Sequence, residues 1–192
     1  MSMRSNKTNK QLAAMETITK KYRLLENDTR TVDGKTLYRI EALKDFTNVK
    51  KGDKGGYIES EANLSQAGNC WVYGDARVCE DARVFGDARV CEEACVSGKA
   101  QVYGDAQVYG KAWVYEAARV YEDARVCEDA RIYGDAWIYG EAWVFGEAQV
   151  FGEAQVYGKA QVYGKAQVHG EVWACGAARI YEGEITSGVI SK

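Results

Sequence analysis

The sequence predicts an all-β rod in which short strands stack coil upon coil. From Gly68 the chain repeats every six residues, as GNCWVY, GDARVC, EDARVF and onward. An aliphatic Val or Ile returns at every sixth position from Val72 to Ile180, with Ala174 as the one exception. The 192 residues contain no proline, and no leucine follows Leu64. A repeat of this regularity decides the architecture and argues against a helical bundle or a doubly wound α/β fold.

Each hexad contains one strand and one corner. The order is small, polar, aliphatic and aromatic, followed by a pair such as Gly-Asp, Gly-Lys or Glu-Asp. A helix with a six-residue repeat would not keep its apolar residues on one face. In a strand, where side chains alternate, Ala76 and Val78 lie on one side and Arg77 and Cys79 on the other. The pairs between strands have turn chemistry. We therefore expect an interior of Val and Ala, with polar and aromatic residues outside.

In chain order the sequence divides into four segments, residues 1–19, 20–67, 68–181 and 182–192. The first is expected to be helical or disordered, and the second to be a cap with a β-hairpin at Asp33-Gly34 and an irregular first coil. The third is the repeat, and the fourth is a tail that either folds over the last coil or meets another subunit.

Charge and cysteine use restrict the class of protein. The net charge is −3, negative over the repeat and positive over residues 1–67. No apolar run approaches the ~18 residues of a membrane helix, and Met1–Lys21 lacks the apolar stretch of a secretory signal, so we expect a cytoplasmic protein without a membrane partner. The cysteines contain no CxxC pair, which predicts reduced thiols and no metal site. They are Cys70, Cys79, Cys91, Cys95, Cys127 and Cys175.

The repeat resembles the hexapeptide pattern [LIV]-[GAED]-x-x-[STAV]-x of left-handed β-helix proteins. Val78 matches the first slot and Ala82 the fifth, and the resemblance covers residues 68–181. It implies a single-stranded left-handed β-helix in which three hexads close one 18-residue coil, about six coils in all. The second slot departs from the family, with Tyr, Phe or Cys in place of a small or acidic residue. A right-handed β-solenoid therefore remains the alternative.

The whole chain also resembles small hexapeptide-repeat proteins that bacteriophages and prophages carry. The similar stretches are YRL…DG.TLYRI.ALKDF, GGYIES and GNCWVYGDARV. This resemblance implies a phage-encoded inhibitor of a host nuclease or defence complex.

The outward slots supply the candidate binding residues. Stacking places every third hexad on one face, and all these side chains, Trp71 included, are expected to point outward. Aromatic ladders can stabilise the rod, or they can form a protein-binding face, and a homodimer through one face satisfies both interpretations. The candidates are Trp113, Trp137, Trp143, Arg125, Arg131, Tyr109, Tyr115 and Tyr139.

One corner of the rod stacks acidic residues, namely Asp87, Asp105, Asp123 and Glu141. It is either a solvated polar corner or a stripe that imitates nucleic-acid phosphates and occupies the basic groove of a host nucleic-acid-binding protein. No direct contact with nucleic acid is expected.

The enzymatic alternative depends on one residue. Many proteins with the family's repeat are trimeric acyltransferases that use a histidine, and His169 is the single histidine of this chain. It occupies an aromatic slot of an uninterrupted repeat, with neither an orienting partner nor a pocket evident from the sequence. We therefore predict a non-enzymatic protein-binding solenoid with no catalytic residue and no cofactor. An acyltransferase-like enzyme and a self-assembling structural β-helix remain the alternatives.

Overall fold

A computed structural model describes residues 20–191, so the predicted N-terminal extension lies outside the described residues. The chain begins with two long antiparallel strands, β1 (Tyr22–Val32) and β2 (Lys35–Ala42). Asp33 and Gly34 between them have φ values of 48° and 77°, the left-handed pair that a two-residue hairpin turn requires. The predicted hairpin is present.

The third strand joins the hairpin to the rod. β3 (Lys54–Ile58) pairs antiparallel with β2 and parallel with the short strand Arg77–Val78, and a 3₁₀ helix at Glu61–Asn63 follows it. The described residues contain no α-helix and thus no helix long enough to cross a membrane.

Short strands follow, most of them two residues long. They are β4 (Trp71–Val72), β5 (Arg77–Val78), β6 (Arg83–Val84), β7 (Arg89–Val90), β8 (Cys95–Val96), β9 (Gln101–Val102), β10 (Gln107–Val108), β11 (Trp113–Val114), β12 (Arg119–Val120), β13 (Arg125–Val126), β14 (Arg131–Ile132), β15 (Trp137–Ile138), β16 (Trp143–Val144), β17 (Gln149–Val150), β18 (Gln155–Val156), β19 (Gln161–Val162), β20 (Gln167–Cys175), β21 (Arg179–Ile180) and β22 (Glu184–Ser191).

Parallel pairing divides these strands into three faces. Gln107 pairs with Arg125, for example, one 18-residue coil further along the chain. The first face runs β4-β7-β10-β13-β16-β19-β21. The second runs β3-β5-β8-β11-β14-β17 and the start of β20, and the third runs β6-β9-β12-β15-β18 and the end of β20.

The predicted all-β solenoid with 18-residue coils is confirmed. The stack has about eight turns rather than six, because β3 adds a layer before the repeat and β22 adds one after it. Left-handed winding stays a prediction.

The interior is the predicted column of small aliphatic residues. Ala76, Val78 and their counterparts in the following coils have no exposed surface up to Ala178, apart from a trace at Val84. This alternation of Ala with Val or Ile fills a narrow prism in which a larger side chain would meet the opposite wall. Ile180, in the last hexad, is 5% exposed.

The corners need residues in the left-handed region. Glycine supplies this conformation at most corners, and Gly140 has φ 68°. Five corners carry glutamate at φ values of 57° to 64° instead: Glu80, Glu92, Glu116, Glu122 and Glu128. Each of these carboxylates accepts a hydrogen bond from the glycine amide one coil later, at 2.6–2.9 Å. The hydrogen bond offsets part of the strain of a left-handed residue with a Cβ atom.

Substitution at Glu122 should separate these two contributions. Glu122→Ala keeps the strain and loses the bond to the Gly140 amide, so we expect the free energy of unfolding to fall by about 1–2 kcal/mol. Glu122→Gly loses the bond but also removes the strain, and should be milder. Urea unfolding of both variants measures the difference. Equal losses would show that the left-handed conformation costs little at this corner.

Side chains satisfy the backbone at the N-terminal end of the stack. Lys21 Nζ donates to the carbonyls of Gly68 and Cys70, at 3.3 and 2.8 Å, and the Tyr22 hydroxyl donates to the Leu64 carbonyl at 2.6 Å. The Asn63 amide likewise donates to the Ala82 carbonyl at 3.0 Å. In the rest of the stack, backbone amides of the preceding coil donate to such carbonyls. The first coil has no preceding coil here, so these side-chain donors take the place of the backbone amides.

The C-terminal end is less covered. β22 pairs in parallel with β20 across the second and third faces, so the chain folds over the last coil as one more strand. Ile185 and Ile190 pack against the core, whereas Val189 and Tyr181 are 64% and 58% exposed. The two ends of the rod therefore differ in how well they are sealed.

Candidate binding groove

The candidate binding residues do not meet in one place. Tyr109, Arg125 and Trp143 lie on or beside the first face, Trp113, Tyr115 and Arg131 on the second, and Trp137 and Tyr139 on the third. The acidic residues Asp87, Asp105, Asp123 and Glu141 follow the corner between the third and first faces. One partner surface would contact only some of these groups.

The tyrosines form stacked ladders. On the third face, rings from Phe85 through Tyr157 stack at centroid distances of 4.7–5.0 Å with nearly parallel planes. Tyr115, Tyr133, Phe151 and His169 form a second ladder, at 4.4–4.9 Å. Burial, followed by the neighbouring tyrosines, raises the pKa of Tyr121 to about 12. Tyr139 stacks on a ring on each side and so presents mainly its edge to solvent, whereas Tyr115 begins its ladder and, within residues 20–191, stacks on Tyr133 alone.

Trp71 is buried, although its outward slot, in register with Arg89, was expected to present it to solvent. Its side chain is 1% exposed, because the Phe46 and Tyr22 rings pack on it at 5.3 and 6.1 Å with edge-on geometry. The N-terminal hairpin covers the start of the first face. The hexad pattern is unchanged at Trp71, so it does not predict that residues from another segment pack over this side chain.

Trp143 also has a structural contact. Its indole Nε1 donates to Cys127 Sγ at 3.2 Å, and Cys127 is almost fully buried although its slot was expected to be exposed. Trp113 on the second face meets the Tyr115 ring edge-on, at 6.5 Å between centroids, and is 49% exposed.

The acidic corner is partly occupied by local interactions. Asp87 Oδ1 accepts from the Asn69 amide at 3.0 Å, and Lys159 Nζ lies 3.8 Å from Glu141 Oε2. Asp105 and Asp123 between them are exposed. The continuous acidic stripe is therefore only two residues long, between Asp87, which accepts from a backbone amide, and the ion pair of Glu141 with Lys159.

A groove of about 700 Å³ runs along the third face near the C-terminal end. Trp137 and Trp173 occupy the same outward slot two coils apart, with Gln155 between them. The Arg119 guanidinium lies 4.9 Å from the Trp137 ring, while Trp173 is 49% exposed. The lining residues are Arg119, Asp135, Trp137, Glu153, Gln155, Glu171, Trp173, Ser187, Gly188 and Val189.

Three carboxylates form one wall of this groove. Asp135, Glu153 and Glu171 stack at the corner between the second and third faces, and all three are exposed. The described residues place no Lys or Arg side chain within ion-pair distance of them. The hexad count places Trp173 on the third face with Trp137, but the candidates chosen from the sequence included neither Trp173 nor this row of carboxylates.

His169 has the orienting partner that the sequence did not reveal. His169 Nε2 lies 2.7 Å from Glu184 Oε1, and the ring stacks on Phe151 at 4.4 Å. The expectation that His169 lacks a partner is wrong, because β22 brings Glu184 back beside β20. The groove on the third face does not include His169.

The described cysteines are free thiols. A hydrogen bond from Cys79 lowers the pKa of Cys95 to about 7, with help from Arg77, and the same bond raises the pKa of Cys79. Within residues 20–191, no group of three His, Cys, Asp or Glu side chains is placed to hold a metal ion.

Comparison with known proteins supports the repeat architecture. Residues 100–116 and 154–170 match the family model described as the YdcK β-solenoid repeat. A stretch of 61 residues is 39% identical to a protein named "Uncharacterized acetyltransferase YdcK" from Escherichia coli strain K12. That stretch covers 28% of this chain and 19% of the relative. The chain is thus similar to a β-solenoid repeat protein over a limited part of both lengths.

Proposed function

We propose that this chain is a non-enzymatic protein-binding β-solenoid that holds a basic partner in the groove of the third face. The observation that carries the proposal is the alignment of Trp137 and Trp173 with a row of three carboxylates along one groove. Exposed tryptophans beside charged groups are typical of protein interfaces. If the chain is phage-encoded, as its resemblance implies, the partner would be a host nuclease or defence complex.

The charge of the groove favours a basic partner. Asp135, Glu153 and Glu171 stack at the coil spacing of ~4.8 Å, where like charges repel one another. A cationic surface placed against them relieves that repulsion and can also stack on the indole rings. Nucleic-acid-binding proteins present such surfaces to phosphates. The groove supports this role better than the corner of Asp105 and Asp123, which offers no aromatic contact.

The test compares two tryptophans of equal exposure on different faces. Trp173 and Trp113 are both 49% exposed. We expect Trp173→Ala to weaken capture of the partner from host lysate by about 30-fold, corresponding to ~2 kcal/mol for an interface hot spot. Trp113→Ala should change capture less than about twofold.

A photo-crosslinking residue placed at Gln155 should label the same partner, whereas one placed at Gln149 on the second face should not. Equal losses for both tryptophan variants would exclude the groove as the site. If neutral substitutions of Asp105 and Asp123 alone abolished capture, the nucleic-acid-mimicking corner would replace the groove in the proposal.

An acyltransferase is the second candidate, favoured by the pair of His169 and Glu184 and by the name of the relative. A glutamate that orients the imidazole is an arrangement suited to general-base catalysis. In that case, coenzyme A release from acetyl-coenzyme A with an acceptor present should be abolished by His169→Ala and reduced by Glu184→Gln. Activity that persists in His169→Ala would exclude this assignment.

A further inference from the structure

We propose that the groove of the third face binds a basic, proline-rich segment in the polyproline II conformation, lying along the axis of the rod. This inference deepens the proposed function and rests on it. It identifies the chemistry and conformation of the partner segment that enters the groove.

The direction of the ligand follows from the way the groove is built. Its lining residues come from successive coils at the same slot, so the groove runs across the strands and parallel to the axis. From the coil of Arg119 to that of Val189 there are four steps, which gives roughly 19 Å at ~4.8 Å per coil. An extended segment fits this length, and about six residues of polyproline II span it at ~3.1 Å per residue.

The spacing of the indole rings selects the conformation. Trp137 and Trp173 are two coils apart, and the adjacent ladder shows coil spacings of 4.9–5.0 Å between ring centroids. The two rings are therefore ~9.6 Å apart along the axis. Polyproline II returns a side chain to the same face every ~9.3 Å, whereas a β-strand does so every ~6.7 Å and a helix every 5–6 Å. The polyproline II period matches the ring spacing in a single turn, whereas a helix comes near it only after two turns, at ~10.5 Å, and the strand spacings of ~6.7 and ~13 Å both miss it.

The row of carboxylates along the groove favours a positively charged ligand. With three residues per turn, a polyproline II segment presents a second side chain 120° away from the first. When prolines lie on Trp137 and Trp173, this second side chain can face the carboxylate row. The spaces beside Glu153 and Glu171 then take cations, and arginine can pair with a carboxylate through two hydrogen bonds. Proline also suits an aromatic groove because its conformation is fixed before binding.

Other occupants fit the groove less well. A second copy of the chain could bring its positively charged residues 1–67 to the groove, but its sequence contains no proline and so supplies no proline-rich segment. An acidic or nucleic-acid ligand would be repelled by the row from Asp135 to Glu171. A neutral extended strand matches neither the ring spacing nor the charge.

Fluorescence anisotropy with a labelled peptide of three Pro-Arg-Ala triplets tests the inference. A peptide of three Ala-Arg-Ala triplets has the same charge without the fixed conformation, and one of three Pro-Glu-Ala triplets reverses the charge. We expect the first peptide to bind at least about tenfold more tightly than the second, and the third not to bind. Trp137→Ala and Trp173→Ala should each weaken binding about tenfold or more, with Trp113→Ala as the control that leaves it unchanged.

Glu153→Gln should weaken binding of the Pro-Arg-Ala peptide and reduce its dependence on salt, because one ion pair is lost. Circular dichroism melts establish that each variant remains folded. Equal affinity for the Pro-Arg-Ala and Ala-Arg-Ala peptides would overturn the polyproline II assignment but leave a basic partner in place. If neither peptide bound while lysate capture still depended on Trp173, the inference would fail and the proposed function would stand. If capture did not depend on Trp173, both would fail.

Discussion

Ala118→Leu should destabilise the rod severely, while Ala117→Leu, one residue earlier, should be tolerated. Ala118 has no exposed surface and lies in the interior column, where Val114, Val120 and Val126 are the aliphatic residues of its own coil. Ala117 occupies a corner and is partly exposed. Overpacking a dense core typically costs 1–3 kcal/mol, and we expect the upper end, ~3 kcal/mol, because the neighbouring coils hold the backbone in register and cannot move apart.

Urea unfolding followed by circular dichroism measures both variants. The corner variant should remain within about 0.5 kcal/mol of the unmodified chain, as is usual for a surface substitution. Both variants make the same change from Ala to Leu at neighbouring positions, so the intrinsic propensities of the two residues and the distance from the ends of the rod are matched. A corner variant as unstable as the interior one would mean that the corner, and not the interior, limits side-chain size.

The interior and the coil length could be predicted from the sequence because they depend on a repeated local rule. Alternation within a strand assigns Ala118 to the inside, and the 18-residue coil follows from the family's pattern of three hexads. The same rule does not predict that Trp71 is buried, because the residues that pack over it come from a distant, non-repeating segment. Periodicity describes how coils contact one another and contains no information about what closes the ends.

In the candidate site, too, the sequence predicts some features and not others. The positions of Trp137 and Tyr139 on one face were predictable, but their different roles were not. Tyr139 stacks between neighbouring rings at 4.9–5.0 Å, whereas Trp137 has no tryptophan directly above or below it and borders a groove. Groove depth depends on which side chains in adjacent coils are long or short, and on β22 closing the end. His169 illustrates this directly, since its contact with Glu184 exists only because the C-terminal strand returns to β20.

Lys21→Met should lower the stability of the N-terminal end by about 2–3 kcal/mol, the second large effect that we expect. Lys21 has no exposed surface, and its ammonium group contacts the Gly68 and Cys70 carbonyls and lies 3.2 Å from Cys70 Sγ. Methionine keeps the length of the side chain but donates no hydrogen bond, so two carbonyls under the hairpin lose their donor. Burial lowers the pKa of Lys21, so part of the loss is offset by removal of a desolvated charge.

Lys20→Met provides the matched control for this prediction. The neighbouring lysine pairs with Glu61 at 2.8 Å, but its side chain is 39% exposed, and exposed ion pairs contribute less than about 1 kcal/mol. Hydrogen exchange should show the Lys21 effect first in β1, β2 and the first coil, since each coil contacts only its neighbours. Equal stability of the two variants would mean that the buried ammonium group is replaceable. In that event the first coil would be sealed by the other contacts at this end, which are the Tyr22 hydroxyl, the Asn63 amide and the packing of Phe46 on Trp71.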